Sequence, residues 1–192
     1  MPIEAYSSNP VNVKPSKKKV KALSPEIGSW SPKFIWRRFA YNLAYSRPLW
    51  KDFAEAFRNG DANPALVVAT KPLLVAAYSF DLDCAVLLRF PDEFVQQYRL
   101  QQKTRLVASN TYVDDEPGRD IIPGPRNTGR WLDFLPKICE FCSDDVQGTA
   151  RRRNGFSPEH WSRAWDCAVE YAKRFPHTAR DGNPASITFT QY

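Results

Sequence analysis

The stretch LLVAAYSFDLDCAVLLRF, residues 73–90, decides how the fold is predicted. A membrane helix needs about 20 consecutive apolar residues, and Asp81, Asp83 and Arg89 divide this stretch into runs that are too short. Short apolar runs bounded by turn-forming residues are typical of strands that are covered on both faces. We therefore predict a buried β-hairpin over residues 73–90, whose tip, Asp81-Leu82-Asp83, lies in water.

Further strands are predicted on both sides of this hairpin. ALVVAT (65–70) precedes it, TRLVASNTYV (104–113) follows a short helix predicted within residues 91–102, and ASITFTQY (185–192) alternates at the end of the chain. The connections between the first three strands are too short for parallel crossovers. We expect a mostly antiparallel sheet of about four to five strands.

An αα-hairpin is predicted before the strands. Ser31-Pro32 has the residues of a helix cap and first turn, and apolar residues recur at helical spacing from there to Pro48. A second amphipathic helix is predicted from there to Gly60, a favourable residue for a helix end. The two helices would pack against the sheet.

Three segments near the C-terminus complete the prediction. WLDFLPKICEFC (131–142) has helical apolar spacing around Pro136, RRRNG (151–155) has the composition of a basic turn, and residues 157–175 predict a long helix capped by Ser157. The fold class is therefore α+β. We divide the chain into an extended basic arm, residues 1–30, and a single α+β domain, residues 31–192.

Charge and cysteine content limit the functional classes. The formal net charge is +6, and residues 1–33 supply six Lys against Glu4 and Glu26. A nucleic-acid-binding domain normally presents a strongly basic face, so such affinity is expected first in the arm. No apolar leader follows the N-terminus, and four cysteines without a secretory context predict reduced thiols in the cytoplasm. Cys139 and Cys142 continue an apolar stripe, so we expect them to be buried structural thiols.

Two basic runs are candidates for binding nucleic acid or another anion. Three Arg in succession lie just before the predicted C-terminal helix, where backbone N–H groups would help to hold a phosphate. The alternative for each run is an exposed charged surface, and the run in the arm would also suit a nuclear address in a eukaryote. The candidate residues are Lys17, Lys18, Lys19, Lys21, Arg151, Arg152 and Arg153.

Two acidic groups are candidates for binding a metal or a partner. Asp81 and Asp83 could converge on a divalent cation, but a solvated turn is the simpler explanation, because Asp is common in turns. A long loop, residues 114–130, would bind a metal, a basic partner or the protein's own arm, and the alternative is a solvated mobile loop. Its acidic residues are Asp114, Asp115, Glu116 and Asp120.

No complete catalytic constellation is found in the sequence. There are two His, without a nucleophile motif, a phosphate-binding loop or a dinucleotide fingerprint. We assign no catalytic residue, metal or cofactor, and no membrane association. The leading hypothesis is an intracellular, non-enzymatic protein–protein interaction or assembly module whose arm, long loop and terminal strand face another protein. One alternative is a nucleic-acid-associated protein that uses the two basic runs. The second is a metal-dependent hydrolase or nuclease that uses Asp81 and Asp83.

Overall fold

The structure is a computed structural model, and it describes residues 9–24, 49–114, 116–184 and 189–192. The first helix of the predicted αα-hairpin lies outside these residues, and the second is present as α2. The helices are α1 (Lys17–Leu23), α2 (Leu49–Asn59), α3 (Glu93–Gln97), α4 (Cys139–Cys142), α5 (Val146–Asn154) and α6 (Pro158–Arg174). The strands are β1 (Asp61–Thr70), β2 (Leu73–Ser79), β3 (Cys84–Phe90), β4 (Arg105–Val113), β5 (Asp133–Ile138), β6 (Thr178–Asp181) and β7 (Phe189–Gln191).

The strands form one curled sheet in the order β5-β4-β1-β2-β3-β6-β7. The α+β class is confirmed, but the sheet is larger than predicted, and it is mixed because β6 runs parallel to β3. The other pairs are antiparallel. The predicted hairpin over residues 73–90 is confirmed, with Leu73 opposite Phe90 and Ser79 opposite Cys84. Its strands are almost entirely buried, as their continuous apolar sequence requires.

The predicted helix over residues 131–142 is wrong, because half of it is the edge strand β5. Only α4 at its end is helical. The apolar residues fit a helical spacing, but Pro136 cannot donate a backbone hydrogen bond. An edge strand tolerates such a residue, because one side of it has no neighbouring strand to receive an N–H.

Helix α6 covers strands β1, β2 and β3. Ser157 caps it by accepting a hydrogen bond from the His160 backbone N–H, and the His160 ring accepts one from the Ser157 N–H. The predicted helix and cap are confirmed, and His160 completes the capping box. Trp161, Ala164 and Cys167 are buried on the sheet side.

The described part of the predicted arm, residues 9–24, packs along the body, and we call it the strap. Up to Ser16 the strap has no helix, and helix α1 follows it. Val11, Val13 and Val20 are almost completely buried against α2, β4 and α4. The Val11 N–H donates to Gly60 O at 2.8 Å and the Ser16 N–H donates to Cys142 O at 2.7 Å. Ordering the strap costs conformational entropy, and burial of the three valines against the body offsets this cost.

Candidate functional site

Helix α1 is fixed to the body by the amine of Lys19. Its Nζ donates to the carbonyls of Glu140 at 3.0 Å and Ser143 at 2.6 Å, and it pairs with Asp144 at 3.3 Å. The carboxylate of Glu140 pairs in turn with Arg153 at 3.4 Å. Glu140 therefore connects the Lys-rich run of the strap with the arginine run of α5.

A second connection joins the start of the strap to α5. The Arg152 Nε donates to Val11 O at 2.9 Å, and its Nη1 donates to Asn9 Oδ1 at 3.0 Å. The two basic runs thus form one surface although they lie more than a hundred residues apart. We call this surface the basic face, and its cations are Lys14, Lys17, Lys18, Lys19, Lys21, Arg151, Arg152 and Arg153.

The cations of the basic face have two different roles. Lys19, Arg152 and Arg153 are half-buried, and Lys19 and Arg152 hold the strap, whereas five others are exposed. Three carboxylates, from Glu140, Asp144 and Asp145, lie among these eight cations, and Asp145 is used as the cap of α5 through the Gly148 N–H. The exposed cations are Lys14, Lys17, Lys18, Lys21 and Arg151.

The predicted basic turn at residues 151–155 is wrong, since the three arginines lie in the last turn of α5, which ends at Asn154 and has Gly155 as its C-cap. Backbone N–H groups point out of a helix at its start, and carbonyls point out at its end. Arginine is favoured at this end by the helix dipole. The N–H groups that the sequence suggested for an anion site belong to the start of α6, where the Ser157 hydroxyl already accepts from the His160 N–H.

Burial changes the ionisation of Glu140. It raises the pKa of the carboxyl to about 7, against the opposing effects of the Val107 N–H and the charges of Arg153 and Lys19. The Glu140 carboxyl is therefore protonated more readily than an exposed one. Protonation of Glu140 removes one of the three negative charges among these cations and makes the basic face more positive.

Asp81 and Asp83 do not converge on a common point, and the prediction that both lie in water is wrong for Asp83. Asp83 is 1% exposed and Leu82 is fully buried. Asp83 accepts from the Arg163 Nε at 2.8 Å and Nη2 at 2.7 Å, from the Tyr78 hydroxyl at 2.6 Å and from the Arg126 N–H at 3.1 Å. Asp81 accepts instead from the Thr128 hydroxyl at 3.3 Å.

These contacts determine the charge of Asp83. Burial by itself would raise the pKa of this carboxyl, but the hydrogen bonds from Arg163, Tyr78 and the Arg126 N–H lower it to about 2. Both carboxylate oxygens are occupied by donors from the protein. In the described ranges no group of three or more His, Cys, Asp or Glu is placed to hold a metal ion. Asp83 is thus bound by Arg163 and Tyr78, whereas Asp81 bonds to Thr128.

The acidic residues of the long loop also separate. Asp114 and Glu116 are exposed, Asp115 lies outside the described residues, and Asp120 is 2% exposed. Asp120 binds Arg180 of β6 and accepts from the Tyr171 hydroxyl at 2.8 Å. The loop is also fixed to the hairpin tip, because the Gly124 N–H donates to Leu82 O and the Thr128 N–H donates to Asp81 O.

Arg180 bridges the gap between strand β6 and the edge strand β5 of the open sheet. From β6 it reaches the edge strand β5, where Nη2 donates to Asp133 at 2.8 Å and Nη1 donates to Phe134 O at 2.7 Å. Sequence reasoning missed Arg180, Asp133 and Arg163. Nothing in the local pattern marks them, because each has its partners more than forty residues away. Beside this ion pair lies a cleft of about 660 Å³ between β5 and the β6–β7 pair.

The prediction that Cys139 and Cys142 are buried is confirmed, and they lie beneath the strap. Burial raises the pKa of the Cys142 thiol to about 12, which keeps it protonated and unreactive. The neighbouring Lys137 is also buried, and burial lowers the pKa of its amine to about 8. Its Nζ donates to the Thr111 hydroxyl at 2.8 Å.

Comparison with known proteins gives no assignment. No family model, no curated protein and no solved structure matches the chain. Across the part of the chain that the structure covers, no helix combines the length and the apolar character that crossing a bilayer demands.

Proposed function

We propose that the protein binds nucleic acid through the basic face, by contacts to the phosphate backbone. The observation that carries this proposal is the junction at Glu140, where Lys19 of the strap and Arg153 of α5 meet. Two runs that are separate in the sequence thereby become one positively charged surface. Phosphate contacts from Lys and Arg supply most of the affinity of sequence-independent binding.

The exposed cations are placed on a fixed framework. Lys17 and Lys21 are four residues apart in α1 and therefore lie on the same side of the helix. Both lysines are exposed, whereas Val20 of the same helix is fully buried and attaches the helix to the body. A docked helix positions its charges in advance, whereas a mobile tail would lose ordering entropy on binding.

Fluorescence anisotropy with a labelled 20-base-pair DNA duplex, and with an RNA strand of the same length, tests this proposal. We expect affinity to fall steeply between 50 and 200 mM KCl. Three simultaneous substitutions, Lys17→Gln, Lys18→Gln and Lys21→Gln, should weaken binding by about tenfold or more at 100 mM salt. They should also make the salt dependence shallower by roughly two to three in slope, because fewer counterions are released.

A matched control separates a binding surface from a general effect of charge. Lys71, Lys103 and Lys173 are exposed and lie in other parts of the fold. Changing these three to Gln alters the net charge equally and should change affinity less than about threefold. Equal losses from the two triple variants would overturn the proposal, and so would the absence of binding to either nucleic acid at 50 mM salt.

A further inference from the structure

The cleft between β5 and the β6–β7 pair has the size of a ligand-binding site. Its volume of about 660 Å³ lies within the usual range for such sites, about 300 to 1,000 Å³. It is at the place where the curled sheet does not close, since β5 ends the sheet on one side and β7 on the other. Residues of β3, β4, β5, β6, β7 and the long loop contribute to its wall.

The charges of the cleft favour a cationic occupant. Glu116, Asp133 and Asp181 line it, together with Arg119 and Arg180. The guanidinium of Arg180 is already bound to Asp133 and to Asp120, which lies just behind. Four carboxylates therefore accompany two guanidinium groups, in a chain whose net charge is +6. The cleft is therefore locally negative in a positively charged protein, and a ligand with an amine or guanidinium group would be attracted to it.

The remaining wall of the cleft is apolar. Leu88, Val113 and Leu135 line it, and Phe189 is 39% exposed at its mouth. A large apolar residue that is exposed next to carboxylates suits a ligand that presents an apolar group and a cation. In an extended segment, successive side chains point to opposite sides, and alternating residues would supply both kinds of contact.

The outer edge of strand β5 indicates that the ligand is an extended peptide. Across the described residues, no strand pairs with the outer side of β5, and the carbonyl of Phe134 is bound there by the Arg180 side chain. Exposed sheet edges commonly receive an extended peptide. We infer that the cleft binds an extended segment of a partner protein in which Lys or Arg alternates with apolar residues. This inference is independent of nucleic-acid binding, because it uses different residues and the opposite charge.

Binding of a labelled peptide tests the inference. The probe is a fluorescein-labelled heptapeptide, Ser-Val-Lys-Val-Arg-Val-Ser, followed by anisotropy with the full chain. A second peptide with Glu in place of Lys and Arg should bind at least tenfold more weakly. The double variant Glu116→Gln, Asp181→Asn should weaken binding of the first peptide by about fivefold or more, and Phe189→Ala should weaken it as well.

The control variant is Asp166→Asn, Glu170→Gln on the exposed side of α6. It removes the same two charges and should leave peptide affinity within about twofold. The inference is overturned if the two peptides bind equally, if the control and cleft variants lose equally, or if neither peptide binds. Displacement of the peptide by butylguanidinium at an equal concentration would also overturn it, since the site would then recognise a small cation and not a chain segment.

Discussion

Asp120 and Arg180, sixty residues apart in the chain, form a bidentate ion pair in the interior, with contacts of 2.6 to 3.1 Å. Tyr171 and Asp133 add a hydrogen bond and a second ion pair. The group connects the long loop, helix α6 and strands β5 and β6. Every charge in it has a partner of opposite sign, which is the condition under which buried ions are tolerated.

Removing the guanidinium should strongly destabilise the protein. We expect Arg180→Met to lower the free energy of unfolding by about 3 to 5 kcal/mol, because Asp120 and Asp133 would remain buried without a cation. Urea unfolding at pH 7 measures this change. Arg174→Met breaks an exposed pair with Glu170 at 3.2 Å and should cost less than about 0.5 kcal/mol. Similar losses from the two variants would contradict the interpretation of Arg180.

Asp83 should make stability depend on pH in the acid range. Its pKa in the folded protein is about 2, below the unfolded value of about 3.9. The stabilisation is therefore complete above pH 4 and is lost as pH falls from about 4 to about 2. We expect Asp83→Asn to lower the free energy of unfolding by roughly 2 to 3 kcal/mol at pH 7, and the difference should narrow by pH 2.5. Asp81 lies two residues before Asp83, and we expect Asp81→Asn to leave the free energy of unfolding almost unchanged at both pH values.

Glu140 should make the protein less stable as pH rises, which is the opposite of the effect of Asp83. Its folded pKa of about 7 exceeds the unfolded value of about 4.3, so the unfolded chain releases this proton first. The free energy of unfolding should therefore fall as pH rises from about 4 to about 7. Glu140→Gln should remove roughly 2 to 3 kcal/mol of the fall between pH 5 and pH 8, measured by urea unfolding at both values. Parallel curves for the variant and the wild type would show that Glu140 is not the group responsible.

Releasing the strap should expose two of the four thiols. Val20 is fully buried, and Val20→Asp would place an unpaired charge there, which favours detachment of α1. Alkylation by iodoacetamide, mapped by mass spectrometry, should then accelerate at Cys139 and Cys142 by tenfold or more. Cys84 and Cys167 lie elsewhere in the core and should keep their wild-type rates. Lys21→Asp, on the exposed side of the same helix, should leave all four rates unchanged, and acceleration at all four in Val20→Asp would indicate global unfolding instead.

Local sequence patterns correctly predicted the helices and strands that have long apolar runs or a clear apolar face. The hairpin over residues 73–90 and helix α6 follow from apolar runs, spacing and caps, and the structure confirms both. Strand β5 was mistaken for a helix because its apolar residues fit both periods, and the sheet edge that accommodates Pro136 is not visible in the sequence. Strand β6 is four residues long and largely polar, so it carries no signal of its own.

The sequence indicated which residues belong to the candidate sites, but not how they are arranged in space. The sequence identified Lys17 to Lys21 and Arg151 to Arg153 as basic, yet their meeting at Glu140 depends on tertiary contacts across more than a hundred residues. Asp83 shows the reverse case. A charged residue at a hairpin tip is normally solvated, and Arg163, eighty residues later, is what allows it to be buried.

The contacts of the strap also determine when it can dock during synthesis. Lys14 bonds to Ser143 and Val11 to Arg152, contacts that span 129 and 141 positions. At about 5 to 20 residues per second, a ribosome makes the second member of each pair on the order of ten seconds after the first. The strap therefore docks only after these partners have been made, and until then its valines and lysines remain available to chaperones or polyanions.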